Sequence, residues 1–199
     1  MAETLHNTET ASLWDCLHDG SIVSFESDFM ARTLTIMVNS PYHWEFHKLP
    51  PDTRFQIVGE NVRIAEVFDF EPWLGAIEPA RETPWEEARA QRLSDYEKGR
   101  LVSTEWNVFV ADVSTDEDYE IMNAELTNGQ PLAILELGIM SYTNSNYRIV
   151  RVHAERFRFQ VGTREVSLED FQAFGAKYWQ AFTERSKTLF TQTEPSESG

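Results

Sequence analysis

A chain of 199 residues that is 41% apolar, with 13 Phe, 6 Trp and 6 Tyr, has the means to build one domain around a sizeable core, since chains of this length bury roughly 70% of their unfolded surface. Its formal charge of -16 disfavours nucleic acid and anionic membrane surfaces as ligands, because both require clustered Lys and Arg. Cys16 is the only cysteine, which excludes an internal disulfide. No apolar run approaches the roughly 20 residues of a membrane span, and the N-terminus lacks the basic and apolar regions of a signal peptide, so a reducing cytoplasm is the expected compartment.

In chain order, residues 1–10 are polar and expected to fray. Thr10 to Leu17 predicts a short helix with Leu13, Trp14 and Leu17 on one face, stopped by His18-Asp19-Gly20. Alternation over Ile22 to Phe29 and over Leu34 to Val38 predicts a β-hairpin turning at Met30-Ala31-Arg32. Val23 and Phe25 are assigned to one face of it, Ile22 to the other. Asn39-Ser40-Pro41 reads as a turn, and Tyr42 to Phe46 as a short extended segment. Phe55 to Val58 and Val62 to Phe68 predict a second strand pair across Gly59-Glu60-Asn61.

Residues 69–83 read as loop. Thr83-Pro84-Trp85-Glu86 carries a capping box with Pro at the first helical position, and predicts a surface helix to about Lys98. Trp106, Val108 and Val110 alternate with Asn107, Phe109 and Ala111, which predicts a strand turning at Ser114-Thr115-Asp116-Glu117 into another at Tyr119 to Leu126. Asn128-Gly129 is a hairpin turn, and Leu132 to Ile139 a central strand. Arg148 to Val161 is a long strand whose apolar phase slips, so a bulge is expected near His153 to Glu155. Ser167 caps a core-packing helix reaching about Phe190 through Leu168, Phe171, Phe174, Tyr178, Phe182 and Leu189. The tail 191–199 is disordered by composition. Strands in hairpin order with few helices predict a single α+β domain over residues 1–190. Its core is a mainly antiparallel curved sheet, a roll or a sandwich, packed by a long C-terminal helix and a shorter surface helix.

The charge is unevenly spread. Between Leu101 and Asn146 there is no Lys or Arg, but eight acids: Glu105, Asp112, Asp116, Glu117, Asp118, Glu120, Glu125 and Glu136. Arg148, Arg151, Arg156 and Arg158 follow. Cross-strand pairing can neutralise part of the block, but four guanidinium groups face eight carboxylates, so an excess is expected at the surface. That excess suits a basic protein partner, and Asp112, Asp116, Glu117, Asp118 and Glu120 are the candidate docking residues. A solvated hairpin tip is the plainer reading of the same run. The spacing and central Gly of a calcium loop are absent.

His43-Trp44-Glu45-Phe46-His47 is the sharpest local cluster. In extended chain, His43, Glu45 and His47 point to one side and could ligate zinc or iron; the plainer reading has Trp44 and Phe46 buried and the polar side wet. His18-Asp19 matches the adjacent pair of metal phosphohydrolases, but those enzymes are all-helical, and turn-making accounts for Asp19-Gly20. Cys16 has only Asp15 beside it and nothing to lower its pKa. Neither a nucleophile elbow nor a phosphate-binding glycine loop occurs, so no cofactor is implied. Tyr42, Trp44, Trp73 and Trp85 lie in or beside Pro-rich loops, where they can anchor a partner or cover the end of the sheet.

Leu17-His18-Asp19-Gly20-Ser21-Ile22, followed by the hairpin through Leu34-Thr35-Ile36, resembles small uncharacterised bacterial proteins that begin with a Leu-His-Asp-(Gly/Ala/Ser) turn before an antiparallel hairpin. Some of these resemble immunity proteins of toxin systems. The resemblance covers about residues 13–70, implies a strand-rich fold and carries over no functional residue. The leading expectation is an acidic binding protein, of immunity type, for a basic partner. A metal-dependent enzyme or small-ligand binder using His43, Glu45 and His47 is the alternative, and a self-assembling component a third.

Overall fold

The computed structural model describes residues 9–71, 80, 82–84, 86–88, 90–91, 94, 98–115, 119–141, 143 and 146–191. Its strands are β1 (Glu9–Ser12), β2 (Ser21–Asp28), β3 (Thr33–Asn39), β4 (Arg54–Glu60), β5 (Ile64–Glu71), β6 (Arg100–Thr104), β7 (Tyr119–Asn128), β8 (Ala133–Ser141), β9 (Asn146–Ala154), β10 (Arg156–Val161) and β11 (Arg164–Val166). They form one antiparallel sheet in the order β11-β10-β4-β3-β2-β7-β8-β9-β5-β6, with β1 added on β7. The labelled helices are α1 (Trp14–Leu17), α2 (Pro41–Phe46), α3 (Trp106–Thr115) and α4 (Leu168–Thr191). The fold is α+β, a large antiparallel sheet with a long C-terminal helix.

The β2–β3 hairpin forms where the alternation places it, with a different face inward. Ile22 and Phe25 are both buried, and Val23 is exposed. A register shift between Ile22 and Ser24 supplies the extra residue that brings two apolar side chains of opposite parity to one side.

The second expected hairpin does not form. β4 pairs with β3 and β10, whereas β5 pairs with β9 and β6. Residues 61–63 are instead a corner where the β4–β5 and β9–β10 segments bend together. Arg63 N–H donates to the His153 carbonyl at 2.9 Å, and Glu155 N–H to the Glu60 carbonyl at 3.0 Å. Gly59 lies inside β4 at this corner, where a Cβ would stand 3.2 Å from Phe157 and Val62, so the glycine serves a close approach rather than a turn. The phase slip expected near His153 to Glu155 is the break between β9 and β10. It lets Val150, Val152 and Ala154 on one side of the corner, and Phe159 and Val161 on the other, all face the interior. Leu34, Ile36, Phe55 and Ile57 from one half of the sheet join Val67, Ile121, Leu135, Leu137 and Ile139 from the other in one core.

Residues 106–115 are helical, not extended. Trp106, Phe109, Val110 and Val113 fall at i, i+3, i+4 and i+7, so the segment satisfies the helical period as well as the alternating one. Packing decides between them. Phe109 and Val113 are buried in the core, Phe109 against Phe25, while Val108, which a strand would place with Trp106 and Val110, is exposed. In the region of the expected surface helix, residues 86–88, 90–91 and 94 are helical, and Ala88 N–H donates to the Pro84 carbonyl at 2.9 Å; Trp73 and Trp85 lie outside the described residues.

α4 starts as the sequence predicts, with Asp170 N–H donating to Ser167 Oγ at 3.0 Å. Its inner face buries Phe171 against Phe55 and Phe159. At Gly175 it touches α1 so closely that a Cβ would stand 2.2 Å from the Asp15 carbonyl carbon and 2.4 Å from Cys16 N. Gly175→Ala therefore overpacks a backbone contact, a cost of about 2 kcal/mol that outweighs the gain of up to ~1 kcal/mol from better helix propensity. A lower urea midpoint in the variant is the expected result; an unchanged or higher midpoint would show that α1 yields freely.

Candidate functional site

Pro41 occupies the first helical position of α2, where its missing N–H costs nothing. The turn expected at Asn39-Ser40-Pro41 is thus a helix start, and the extended segment expected after it is helical. This changes the geometry of the metal-ligand candidates. His43 and His47, four residues apart, share the inward face, and their ring centroids are 6.1 Å apart. Glu45 is exposed. His43, Glu45 and His47 are therefore not one-sided, and among the described residues no three His, Cys, Asp or Glu side chains converge to hold a metal ion. His43 is fully buried, with neither ring nitrogen in a formed hydrogen bond. Burial lowers its pKa to about 4, with the neighbouring His47 acting the same way. His47 is also held below the ordinary imidazole value by burial, although its Nε2 lies 2.9 Å from the Phe174 carbonyl.

Around these histidines, α1, α2 and α4 assemble an aromatic wall. The His18 ring sits between Trp14 (centroids 4.3 Å apart) and Trp179 (5.9 Å), and its Nδ1 is 3.1 Å from Asp19 Oδ1. The Tyr42 hydroxyl donates to the His18 carbonyl. Trp179 Nε1–H donates to the Asp15 carbonyl at 2.9 Å. Tyr178 meets Tyr42 at 5.3 Å, Phe46 at 5.6 Å and Phe182 at 6.3 Å. Between α2 and α4 lies a groove of about 460 Å³, lined by Tyr42, Glu45, Phe46, Tyr178, Ala181, Phe182 and Arg185. Burial pushes the Tyr42 hydroxyl pKa up, and the Asp19 and Glu120 carboxylates add to the shift. Asp19 acts on Tyr178 in the same sense, after burial. This end of the molecule therefore offers aromatic faces beside carboxylates, a combination that attracts ammonium and guanidinium groups. Cys16 is buried beneath it with its thiol pushed up by desolvation, which leaves it unreactive.

The acidic block divides into three parts. Asp112 is engaged inside the fold, where Arg148 NH1 donates to its Oδ2 at 2.6 Å and the Tyr119 hydroxyl donates to the same oxygen at 2.9 Å. Hydrogen bonding from Arg148 holds its carboxyl below the usual range. Glu136 takes two donors from Arg151, at 2.9 and 2.6 Å, the cross-strand pairing that the arginine run predicts. Glu105, Glu120 and Glu125 have no ion pair among the described residues. Asp116, Glu117 and Asp118 lie outside the described residues, between the end of α3 and the start of β7, so the expected strand–turn–strand around them is a helix-to-strand connection. Arg156 and Arg158 contribute nothing to the block. Both bind Glu60, and Arg158 also reaches Glu165 at 2.7 Å.

The register sets like charges against each other on the outer face of β7 and β8. Glu125 is directly opposite Glu136, and Glu66 flanks Arg151 on the other side. This row holds three carboxylates and one guanidinium. Like charges directly opposite destabilise a sheet, so Glu125 stands where folding gains nothing from it. Glu125→Gln should raise stability by a few tenths of a kcal/mol, read as a small increase in melting temperature; a decrease would mean that Glu125 has an attractive partner.

An extended Tyr42 to Phe46 has no groove beside it; the groove exists only because this segment is helical. The signal for it was there: Tyr42 and Phe46 are spaced i, i+4, and the apolar stripe of α4 continues through Phe182, which is half exposed. No family model, curated protein or solved structure matches this chain.

Proposed function

We propose that this chain is a binding protein of immunity type that engages a basic partner protein, with Glu120, Glu125 and the groove between α2 and α4 as its contact residues. The observation that carries the reading is the unneutralised acidity. Of the five described acids between Leu101 and Asn146, only Asp112 and Glu136 have a guanidinium partner, and Glu125 stands directly opposite Glu136, where like charges weaken a sheet. Groups that fold against their own repulsion are expected where function requires them. The groove supports the same chemistry. Phe46 and Phe182 are exposed beside Glu45, and a Lys or Arg side chain entering there meets aromatic faces and a carboxylate together. Arg185, two helical turns beyond Tyr178, limits the cation-favouring part to the end near Tyr42 and Glu45.

The test is affinity capture with the native host's lysate at low and at high salt, using the full chain and its E45Q/E120Q/E125Q variant. The expected result is a basic protein retained at low salt by the original chain, weakened by salt and lost with the variant. Capture that ignores both salt and the three substitutions would overturn the reading.

A further inference from the structure

We propose that the groove between α2 and α4 is a two-charge docking site for one segment of the basic partner: a Lys or Arg side chain of that segment lies at the Glu45 end, and a carboxylate three residues along it lies at Arg185. Resting on the basic-partner reading, the site adds an anion contact that a net charge of -16 does not suggest.

On α4, Tyr178, Ala181, Phe182 and Arg185 fall at i, i+3, i+4 and i+7 and form one stripe along the groove. α2 meets this stripe at its start, where Tyr178 touches both Tyr42, at 5.3 Å, and Phe46, at 5.6 Å. Glu45 lies between those two residues in α2 and so belongs to the Tyr178 end. Arg185 stands about 10 Å farther along the helix. The two side chains carry opposite charge and line one groove, yet no ion pair joins them, and neither has a side-chain partner elsewhere among the described residues. Unpaired opposite charges at the two ends of an aromatic trough are complementary to a ligand that is itself dipolar.

Charge and exposure select the occupant. The Asp19 carboxylate acts on the Tyr42 and Tyr178 hydroxyls in the same sense as burial, so the cation end has Asp19 and Glu45 beside its ring faces. The far end has the Arg185 guanidinium, whose planar fork of donors suits a carboxylate. Phe46 and Phe182 are 41% and 51% exposed, so the trough is open, whereas a small-molecule site encloses most of its ligand; covering this one takes a protein surface. A second copy of the chain brings the same net charge of -16 and is repelled. In an extended segment three residues span about 10 Å, which matches the distance along α4 from Tyr178 to Arg185.

NMR titration of the isotope-labelled full chain with two peptides, acetyl-Arg-Gly-Gly-Glu-amide and acetyl-Arg-Gly-Gly-Gln-amide, tests this at about 0.15 M salt, where charges beyond about 8 Å are largely screened. Both peptides are expected to shift the amide signals of Tyr178 and Phe182. The Glu peptide is expected to bind about two- to fivefold more tightly, the worth of one exposed ion pair, although the acidity of the whole chain favours the more cationic Gln peptide. R185E is expected to reverse that order, and E45Q to weaken both peptides. Equal affinities for the original chain, an R185E variant that still prefers the Glu peptide, or groove signals that neither peptide moves would each overturn the two-charge site. Such a failure is distinct from that of the basic-partner reading, which depends on salt-sensitive capture lost in the E45Q/E120Q/E125Q variant.

Discussion

Replacing Arg148 by Ala should cost about 3 kcal/mol of stability, because it leaves a cluster of inward-facing acceptors without their cation. Arg148 is 8% exposed. Its Nε donates to Asp69 Oδ1 at 2.7 Å, and its NH1 donates to Asp112 at 2.6 Å and to the Tyr119 hydroxyl at 2.6 Å. Thr104 donates to the other oxygen of Asp69. The guanidinium also lies over the rings of Phe109 and Tyr119, at 5.6 and 5.5 Å. It thereby ties α3 to β5, β7 and β9 across the open side of the sheet. Asp69 and Asp112 keep some contact with water, which sets the cost at the lower end of the 3–5 kcal/mol seen when a buried pair is broken. For a domain of this size that is a fall in melting temperature of about 6–12 °C. Arg151→Ala removes a half-exposed pair with Glu136 and should cost under about 1 kcal/mol. Thermal melts of the two variants side by side decide the matter; equal losses would mean that the buried network adds nothing. The same network gives an acid limb. The Asp112 carboxyl is held below its ordinary value, so the stability it contributes is complete above the unfolded carboxyl pKa and disappears as pH falls through the folded one.

His43 should make the fold lose stability between neutral pH and pH 5, before the carboxylates titrate. Its pKa is about 4 in the fold and about 6.5 when the chain is unfolded. Between those values the unfolded chain binds more protons, so stability rises with pH and falls on acidification. The loss amounts to about 2 kcal/mol by pH 5. His47, whose pKa is lowered in the same direction by burial, adds to it. Urea midpoints measured from pH 7.5 down to 5 should therefore slope downward in the original chain and much less in His43→Leu, with the His47 contribution remaining. An identical slope in both would mean that His43 is charged or hydrated in the fold. The position beneath Tyr42 and Tyr178, at 5.2 and 5.0 Å, also links this titration to the groove.

Local pattern is enough to specify the elements that fit one template only. The β2–β3 and β7–β8 hairpins, the buried run of β8, the capped start of α4 and the phase slip between β9 and β10 were all legible, because alternation, turn chemistry and caps act over a few residues. So were the lack of any membrane-spanning helix among the described residues and the pairing of part of the acidic block by the arginines after it. Tertiary structure decided the rest, wherever two templates fitted equally. Residues 106–115 satisfy both a strand and a helix, and burial of Phe109 against Phe25 selects the helix. Tyr42 to Phe46 alternates, yet contact with α4 rewards the i, i+4 face, and this moves Glu45 away from His43 and His47. β4 and β5 are adjacent in the chain but pair with other strands, because the bend at Gly59 to Arg63 follows the bend at Glu155. Which carboxylates keep their charge at the surface depends on the same long-range pairing. Asp112 is drawn inward by Arg148, 36 residues later, while Glu125 is held facing Glu136 by strand register alone. Local pattern specifies an element where one period alone fits; packing between distant elements decides the period where two fit, the face where a register shift intervenes, as at Val23 and Phe25, and what each face meets.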